Sequence, residues 1–384
     1  MTVAVHERAA ARRSGLVPLL ALAAAADLAL LAVRVVQGVH GDADPRLVYD
    51  PEGRALLHGT YPGSPYPAGA VGLFALETLL GGSARDANAL LMVPFHLLET
   101  AALFLLRTRW SGRLALGVAL WPANAFFWEF RFDLVPAAAV VAGVALARHG
   151  RWHAAGWAFG AGAAVKWTPG LTALALAAWL VGRRRHREAV RLALGAAIPF
   201  LATNLAAFGL APHAAAAPYR AQAVRGITGE SLFYLPLRLL GLARSARHYY
   251  GPALVPSWTT TAAAVAQLLV LGAVVVLAAR APNARGALGR AALAPAAFLL
   301  ANRVFSPQFF VVVLACCACA SALVLSRRRD VLLVSTLLAV ATAANAVLYP
   351  GLAGADEATW TSVSALALLP AAAAVALLAA RRTA

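Results

Sequence analysis

A chain of 384 residues that is 61% hydrophobic and 13% charged falls outside the range of water-soluble globular proteins, which carry roughly 25% charged residues. Its mean hydropathy of +0.72 and its apolar runs, spread from end to end, predict one all-α polytopic membrane domain over 1–384. The formal charge of +17 does not make it a nucleic-acid-binding protein. The arginines stand in short runs between apolar stretches: Arg107, Arg109 and Arg113; Arg148 and Arg151; RRRHR at 183–187; RRR at 327–329; Arg381 and Arg382. That is the positive-inside pattern of cytoplasmic loops, and no nucleic-acid-binding module accompanies it.

In chain order, MTVAVHERAAARRSG precedes an apolar run from Leu16 to Val36. The run exceeds a signal-peptide core and is long enough to span, so it reads as a retained first helix with its N-terminus in the cytoplasm; cleavage in the Ala-rich stretch is the alternative. Residues 37–85 form a first outer loop. Within it AGAVGLFALETLLGG (68–82) is apolar but short, and counting it as a span would invert every later loop. It reads as a re-entrant or interfacial helix. Helices follow at 86–106, 113–128 and 133–148. Both flanks of 152–182 are basic, so an even number of crossings lies between them. KWTP (166–169) is the break, since a residue before proline avoids helical geometry. Further spans are expected at 189–210, 257–280, 288–303, 307–326, 330–349 and 357–380, with a second long outer loop at 211–256. The sum is about twelve helices, within a range of 10–13, with both termini cytoplasmic. Cys316, Cys317 and Cys319 lie inside one apolar run, where cysteine packs as a small hydrophobe and no disulfide framework can be read.

This threading makes outward-facing cations informative, because outer loops should be poor in them. They are Arg46, Arg54, Arg131, Lys166, Arg220, Arg225 and Arg303. Each could simply snorkel to the interface. Together at headgroup depth they suit an anion, and a lipid phosphate is the natural one, since arginine offers it bidentate geometry and lysine a point charge. The first outer loop also concentrates Asp42, Asp44, Asp50 and Glu52. An aspartate there could act as general base toward a sugar hydroxyl, acids at i, i+2 could hold a divalent cation, or the loop could be a solvated turn. Glu129 and Asp133 flank Arg131 as ion-pair partners or as groups that orient it. Asp27, Arg34, His96, Glu99 and Asn204 fall within spans and read as polar glue between helices.

Five stretches together resemble a known family. DADPRLVYDPEGRALLHGTYPGSPYPAG resembles a first outer loop with an Asp, a Tyr, A-x-L-L-x-G and Y-P-x-G. RFDLVPA (131–137) resembles an Arg-Tyr-Asp segment with a following proline. GAGAAVKWTP (160–169) resembles a small-residue helix ending in Lys-x-x-Pro. YRAQAVRGITGES (219–231) resembles a loop with Arg-Gly and Glu-Ser, and NRVFSPQFF (302–310) a Lys-Val-x-Ser-Pro-Gln-Tyr element. In that order they resemble the GT-C superfamily of polyprenyl-phosphate-dependent glycosyltransferases, in particular the bacterial family-87 mannosyltransferase-like proteins of actinobacteria. Arg303 and Phe309 depart from the usual Lys and Tyr. The acid before Tyr49 is offset by about one residue, which leaves Asp44 and Asp42 both open as the catalytic acid.

The resemblance implies a GT-C-like bundle with an outward-facing cavity in the cytoplasmic membrane. It implies inverting transfer of a sugar, mannose first, from a polyprenyl-phospho-sugar to a lipid-linked or glycan acceptor. On this reading Asp44 is the base with Asp42 as fallback, and Arg131, Lys166, Arg225 and Arg303 hold the phosphate. Glu230, Ser231 and Gln308 orient donor or acceptor, and Tyr49, Tyr61 and Tyr66 line the sugar cavity. A lipid donor explains the absence of GxGxxG and P-loop motifs. No cofactor is expected, and no tight ligand cluster supports a metal. The expected partners are these substrates and membrane lipids, and nucleic acid is not among them. A lipid or sugar transporter of similar helix count is the alternative. It predicts paired broken helices in two halves, whereas one short hairpin, around Lys166, is visible.

Overall fold

The computed structural model describes residues 15–37, 44–121, 131–244, 253–349 and 356–380. In chain order the helices are α1 (Leu16–Gln37), a π-helical turn (Pro45–Tyr49) running into α2 (Asp50–Leu57), α3 (Ala68–Leu80), α4 (Ala84–Leu105), α5 (Ser111–Ala119), α6 (Leu134–Arg148), α7 (Trp152–Val165), α8 (Thr168–Gly182) and α9 (His186–Leu210). They continue as α10 (Pro212–Ala215), α11 (Ala217–Val224), α12 (Tyr234–Leu239), α13 (Ser257–Ala279), α14 (Ala284–Ala292), α15 (Ala294–Leu300), α16 (Phe309–Val324), α17 (Arg328–Leu348), α18 (Glu357–Leu366) and α19 (Leu368–Ala379). No strand forms among the described residues beyond a bridge between Arg244 and Leu254.

Six stretches are long and apolar enough to cross a membrane, in α1, α4, α9, α13, α17 and the α18–α19 pair. Helices α3, α6, α8 and α16 are shorter and apolar. The expected spans are refined in three places. Residues 288–303 form two helices, α14 and α15, divided at Leu293 ahead of Pro295, and 357–380 divides at Ala367 ahead of Pro370. Proline lacks the N–H that a continuous ladder needs. The 113–128 span is seen as α5 up to Ala119, and 122–130 lies outside the described residues. The described part of the segment expected as a first outer loop is largely helical: α2 packs on α3, with Pro45 and Pro51 at the starts of their turns, where a missing N–H costs nothing.

Burial sorts the helices into layers. Almost every residue of α6 and α16 is buried, as expected of helices apolar all round. Cys316, Cys317 and Cys319 are buried free thiols in α16. The long helices present leucines outward, among them Leu205, Leu268 and Leu269, as a lipid-facing layer requires. Polar residues inside the spans bind helices to each other. His96 Nδ1 lies 2.9 Å from an Asp27 carboxylate oxygen, joining α4 to α1, and Asn204 accepts from the Tyr219 hydroxyl at 3.1 Å, joining α9 to α11. The side chain of Arg34 lies outside the described residues.

The most extensive pairing is between α7 and α9. It rests on Gly156 and Gly160, four residues apart on one face of α7. A Cβ at either would overlap backbone of α9, at Leu192 and Ala196 respectively. Small residues at this spacing let two helix backbones touch, the main source of helix association where lipid removes the hydrophobic drive.

The inner helices are also short. Arg148, at the end of α6, donates from Nε to the Leu106 carbonyl at 2.6 Å, and His149 lies 3.0 Å from that of Leu105. So α6 and α4 finish at the same level. With 15 residues against 22, α6 begins about 10 Å below the start of α4 at 1.5 Å per residue. Among the described residues, that shortfall leaves a recess at one end of the bundle.

Candidate functional site

Four chain segments meet in the recess: the Asp44–Tyr49 turn, Arg131–Asp133 ahead of α6, the α7–α8 break at Lys166, and residues 302–308 between α15 and α16. They surround a cavity of about 560 Å³. The first is a π-helical turn, and the other three are breaks between helices. Lys166 is extended (φ −155°, ψ 122°) between two helices, with Pro169 in the first turn of α8.

The cavity brings together Asp44, Arg131, Lys166, Arg225, Arg303, Tyr49, Tyr66 and Gln308. Arg131 is 2% exposed. It forms an ion pair with Asp44, and its Nη2 donates to the Tyr349 hydroxyl at 3.1 Å. Lys166 pairs with Asp133 and sits over the Phe309 ring, 4.1 Å from its centroid. The neighbour of Arg131 in sequence therefore serves a different cation: Asp133 holds Lys166, and Asp44 holds Arg131. Buried charges require such partners, because uncompensated burial costs several kcal/mol. Glu129 and Asp42 lie outside the described residues.

The remaining cations differ from each other. The Arg303 guanidinium donates to the carbonyls of Gln222 (2.8 Å) and Ala223 (3.2 Å), so it lines the cavity while fastening the end of α11. Arg225 also lines the cavity, is exposed, and has no hydrogen-bond or ion-pair partner among the described residues. In total, four cations face two carboxylates, a surplus of two positive charges around the cavity.

One wall is aromatic. Tyr49 stacks on Phe74 with ring centroids 4.2 Å apart, and Tyr66 meets Phe132 edge-on at 5.3 Å. Burial pushes both phenols above their ordinary range, so they are neutral donors at physiological pH. The buried Tyr49 hydroxyl, Trp167 Nε1 and Thr168 Oγ1 line the cavity and lack a hydrogen-bond partner among the described residues. Buried polar groups are rarely left so, and three at one cavity point to a polar ligand. The lining also includes Gln222, Gln267 and Asn302, to which the sequence reading gave no role. Trp167 and Thr168 carried a signal, standing beside Lys166 in KWTP.

Three expected residues do not line the cavity. Tyr61 lies near Glu52 and Tyr219, and burial raises its phenol to about 12. Ser231 Oγ donates to the Asn302 carbonyl at 2.8 Å, and the Ser231 carbonyl accepts from Ser364. Glu230 is buried beside Thr228, whose hydroxyl bonds both the carbonyl and the N–H of Phe305. Thr228 and Ser231 thus clamp the 225–231 loop to the cavity-lining 302–306 segment, with Glu230 buried between them in the chain. Gln308 Oε1 accepts from the Ser306 hydroxyl at 2.6 Å, which holds the side chain at the start of α16.

The clamp predicts a pH dependence. Burial pushes the Glu230 carboxyl from its ordinary 4.5 up to about 7. A group with a raised folded pKa stabilises fully below its unfolded pKa, and that stability is lost as pH rises through the folded one. Thermal stability of the purified protein is therefore expected to fall between pH 5 and pH 8, with this group responsible for on the order of 3 kcal/mol. Glu230→Gln should flatten the profile, and an equally steep profile in that variant would remove Glu230 as the cause.

No family model, curated protein or solved structure matches this chain.

Proposed function

We propose that the chain is an inverting glycosyltransferase of the GT-C type. It transfers a sugar, mannose in the first instance, from a polyprenyl-phosphate donor to a lipid-linked or glycan acceptor at the outer face of the cytoplasmic membrane. On this reading the bundle crosses about twelve times, both termini are cytoplasmic and the recess faces outward. One observation carries the reading: a single cavity beside membrane-length helices gathers Asp44 with Arg131, Lys166, Arg225 and Arg303.

The chemistry follows from the charges. The donor phosphodiester carries one negative charge, and the released polyprenyl phosphate approaches two. A cationic surplus of two favours the product-like charge that builds as the bond to the anomeric carbon breaks, an electrostatic effect that is often the largest in an active site. Asp44 takes the acceptor hydroxyl proton. The acceptor oxygen forms its bond to the anomeric carbon from the face opposite the phosphate, and polyprenyl phosphate leaves with the electron pair. Arg131 holds Asp44 ionised and oriented, and Lys166 and Arg225 meet the phosphate. The unpartnered groups of Tyr49, Trp167 and Thr168 are placed to bond sugar hydroxyls. Since side chains supply the positive charge, EDTA should leave turnover unchanged.

The test is a transfer assay with purified protein and synthetic polyprenyl-phospho-mannose, -arabinose and -glucose. Wild type should turn over one of them. Lys166→Met should lower kcat by roughly 10²–10³-fold, the scale of losing one preorganised charge-stabilising group. No transfer from any donor, together with movement of labelled donor lipid across proteoliposomes, would replace this reading with the transporter.

A further inference from the structure

A second groove lies at the other end of the bundle. Helix α17 runs from Arg328 to Leu348, next to the Tyr349 that receives the Arg131 hydrogen bond. Its 21 residues cover about 30 Å, the thickness of a bilayer core. Beside its Arg328 end, α5, α16 and α17 enclose a groove of about 750 Å³.

The groove has a charged mouth and an apolar floor. Arg109, Arg113 and Arg328 stand at the mouth, all exposed. The guanidinium groups of Arg109 and Arg113 lie 4.9 and 5.3 Å from the Trp110 ring centroid, held by one aromatic face. Among the described residues none of the three pairs with a carboxylate, and the nearby Asp330 is taken by Arg329 at 3.5 Å. The floor is aliphatic, with Leu314 and Leu338. Two residues that line it carry a buried polar atom without a partner among the described residues: Ser321 (Oγ), 1% exposed, and Trp110 (Nε1), 4% exposed.

We propose that this groove binds an anionic phospholipid. The three arginines and Trp110 Nε1 hold its phosphate headgroup, Ser321 bonds an ester oxygen, and an acyl chain lies along α16 and α17. Charge complementarity selects this occupant. Arginines clustered at the end of membrane-length helices are worth about 1 kcal/mol each toward an anionic headgroup, and the attached floor, largely apolar, suits hydrocarbon. Its arginine mouth lies at the Arg328 end of α17, away from Tyr349 and the Asp44 cavity, while its floor reaches Leu314, five residues from the cavity-lining Phe309; it does not depend on the transfer reaction.

Native mass spectrometry of the full chain in detergent, titrated with phosphatidylglycerol or phosphatidylcholine, tests this. Phosphatidylglycerol should bind more tightly, and replacing Arg109, Arg113 and Arg328 with Gln should weaken it on the order of 100-fold, abolishing the preference. Gly117 lines the groove, and a Cβ there meets nothing. Gly117→Leu should therefore weaken both lipids without disturbing the fold. Phosphatidylglycerol binding unchanged in both variants, or displaced by excess inorganic phosphate, would overturn the proposal.

Discussion

Asp44→Asn is expected to lower kcat for sugar transfer by roughly 10²–10⁴-fold, the range for losing a positioned general base. The amide keeps the shape of the carboxylate but cannot accept the acceptor's proton. KM for the donor should change far less, because Asp44 meets the acceptor hydroxyl and not the phosphate. Asp44 also neutralises the buried Arg131 guanidinium, so the variant carries an uncompensated charge. Part of the loss would then be structural, and the variant's melting temperature measures that part. Asp42→Asn is the comparison. If Asp42→Asn abolishes transfer and Asp44→Asn does not, the base is Asp42, and the ion pair with Arg131 is a brace.

The second large effect lies far from any proton transfer. Gly160→Ala should destabilise the protein by roughly 1–3 kcal/mol, the usual cost of forcing atoms into a full interface. The new methyl would overlap the Ala196 carbonyl, and backbone cannot swing aside as a side chain can. Gly272→Ala is the control, since a Cβ there meets nothing and alanine is the better helix former by about 1 kcal/mol. Thermal unfolding in detergent compares the two. Because α7 ends one residue before Lys166, any separation of α7 from α9 also moves the ammonium. Transfer should fall in Gly160→Ala even below its melting transition. Equal melting temperatures for the two variants would show that the pairing is looser than the geometry indicates.

Much of this arrangement was legible in the sequence, for physical reasons. The bilayer restricts a spanning chain to helices, so apolar runs and basic loops locate most elements. The break at Lys166 was legible because Pro169 excludes a continuous helix there. Cations found where loops should lack them marked seven residues, and the fold brings Arg131, Lys166, Arg225 and Arg303 to one cavity, while Arg46 is not in its lining, Arg54 pairs with Asp50 and Arg220 donates to the His213 carbonyl. What was not legible depended on distance in the chain. Nothing local says that Asp133 serves Lys166, 33 residues on, instead of Arg131, two residues away. Glu230 and Ser231 stood in a polar loop among ligand-like neighbours, and the clamp that Thr228 and Ser231 make on 302–305 exists only after α15 and α16 have folded. The arginines at the lower groove were read as topology signals. That reading was sufficient, so their shared mouth on α5 and α17 remained hidden.

The shortness of α6 has one more consequence. A molecule that reaches Lys166 descends beside the start of α6 into a space walled by Tyr49, Tyr66, Phe132 and Phe309. Over that descent it gives up most of its hydration shell. A lone phosphate would lose water on every side and recover only part of it from the arginines. A phosphate carrying a hydrocarbon tail on one side is already half dry, so depth alone discriminates against small soluble anions before any side chain makes contact.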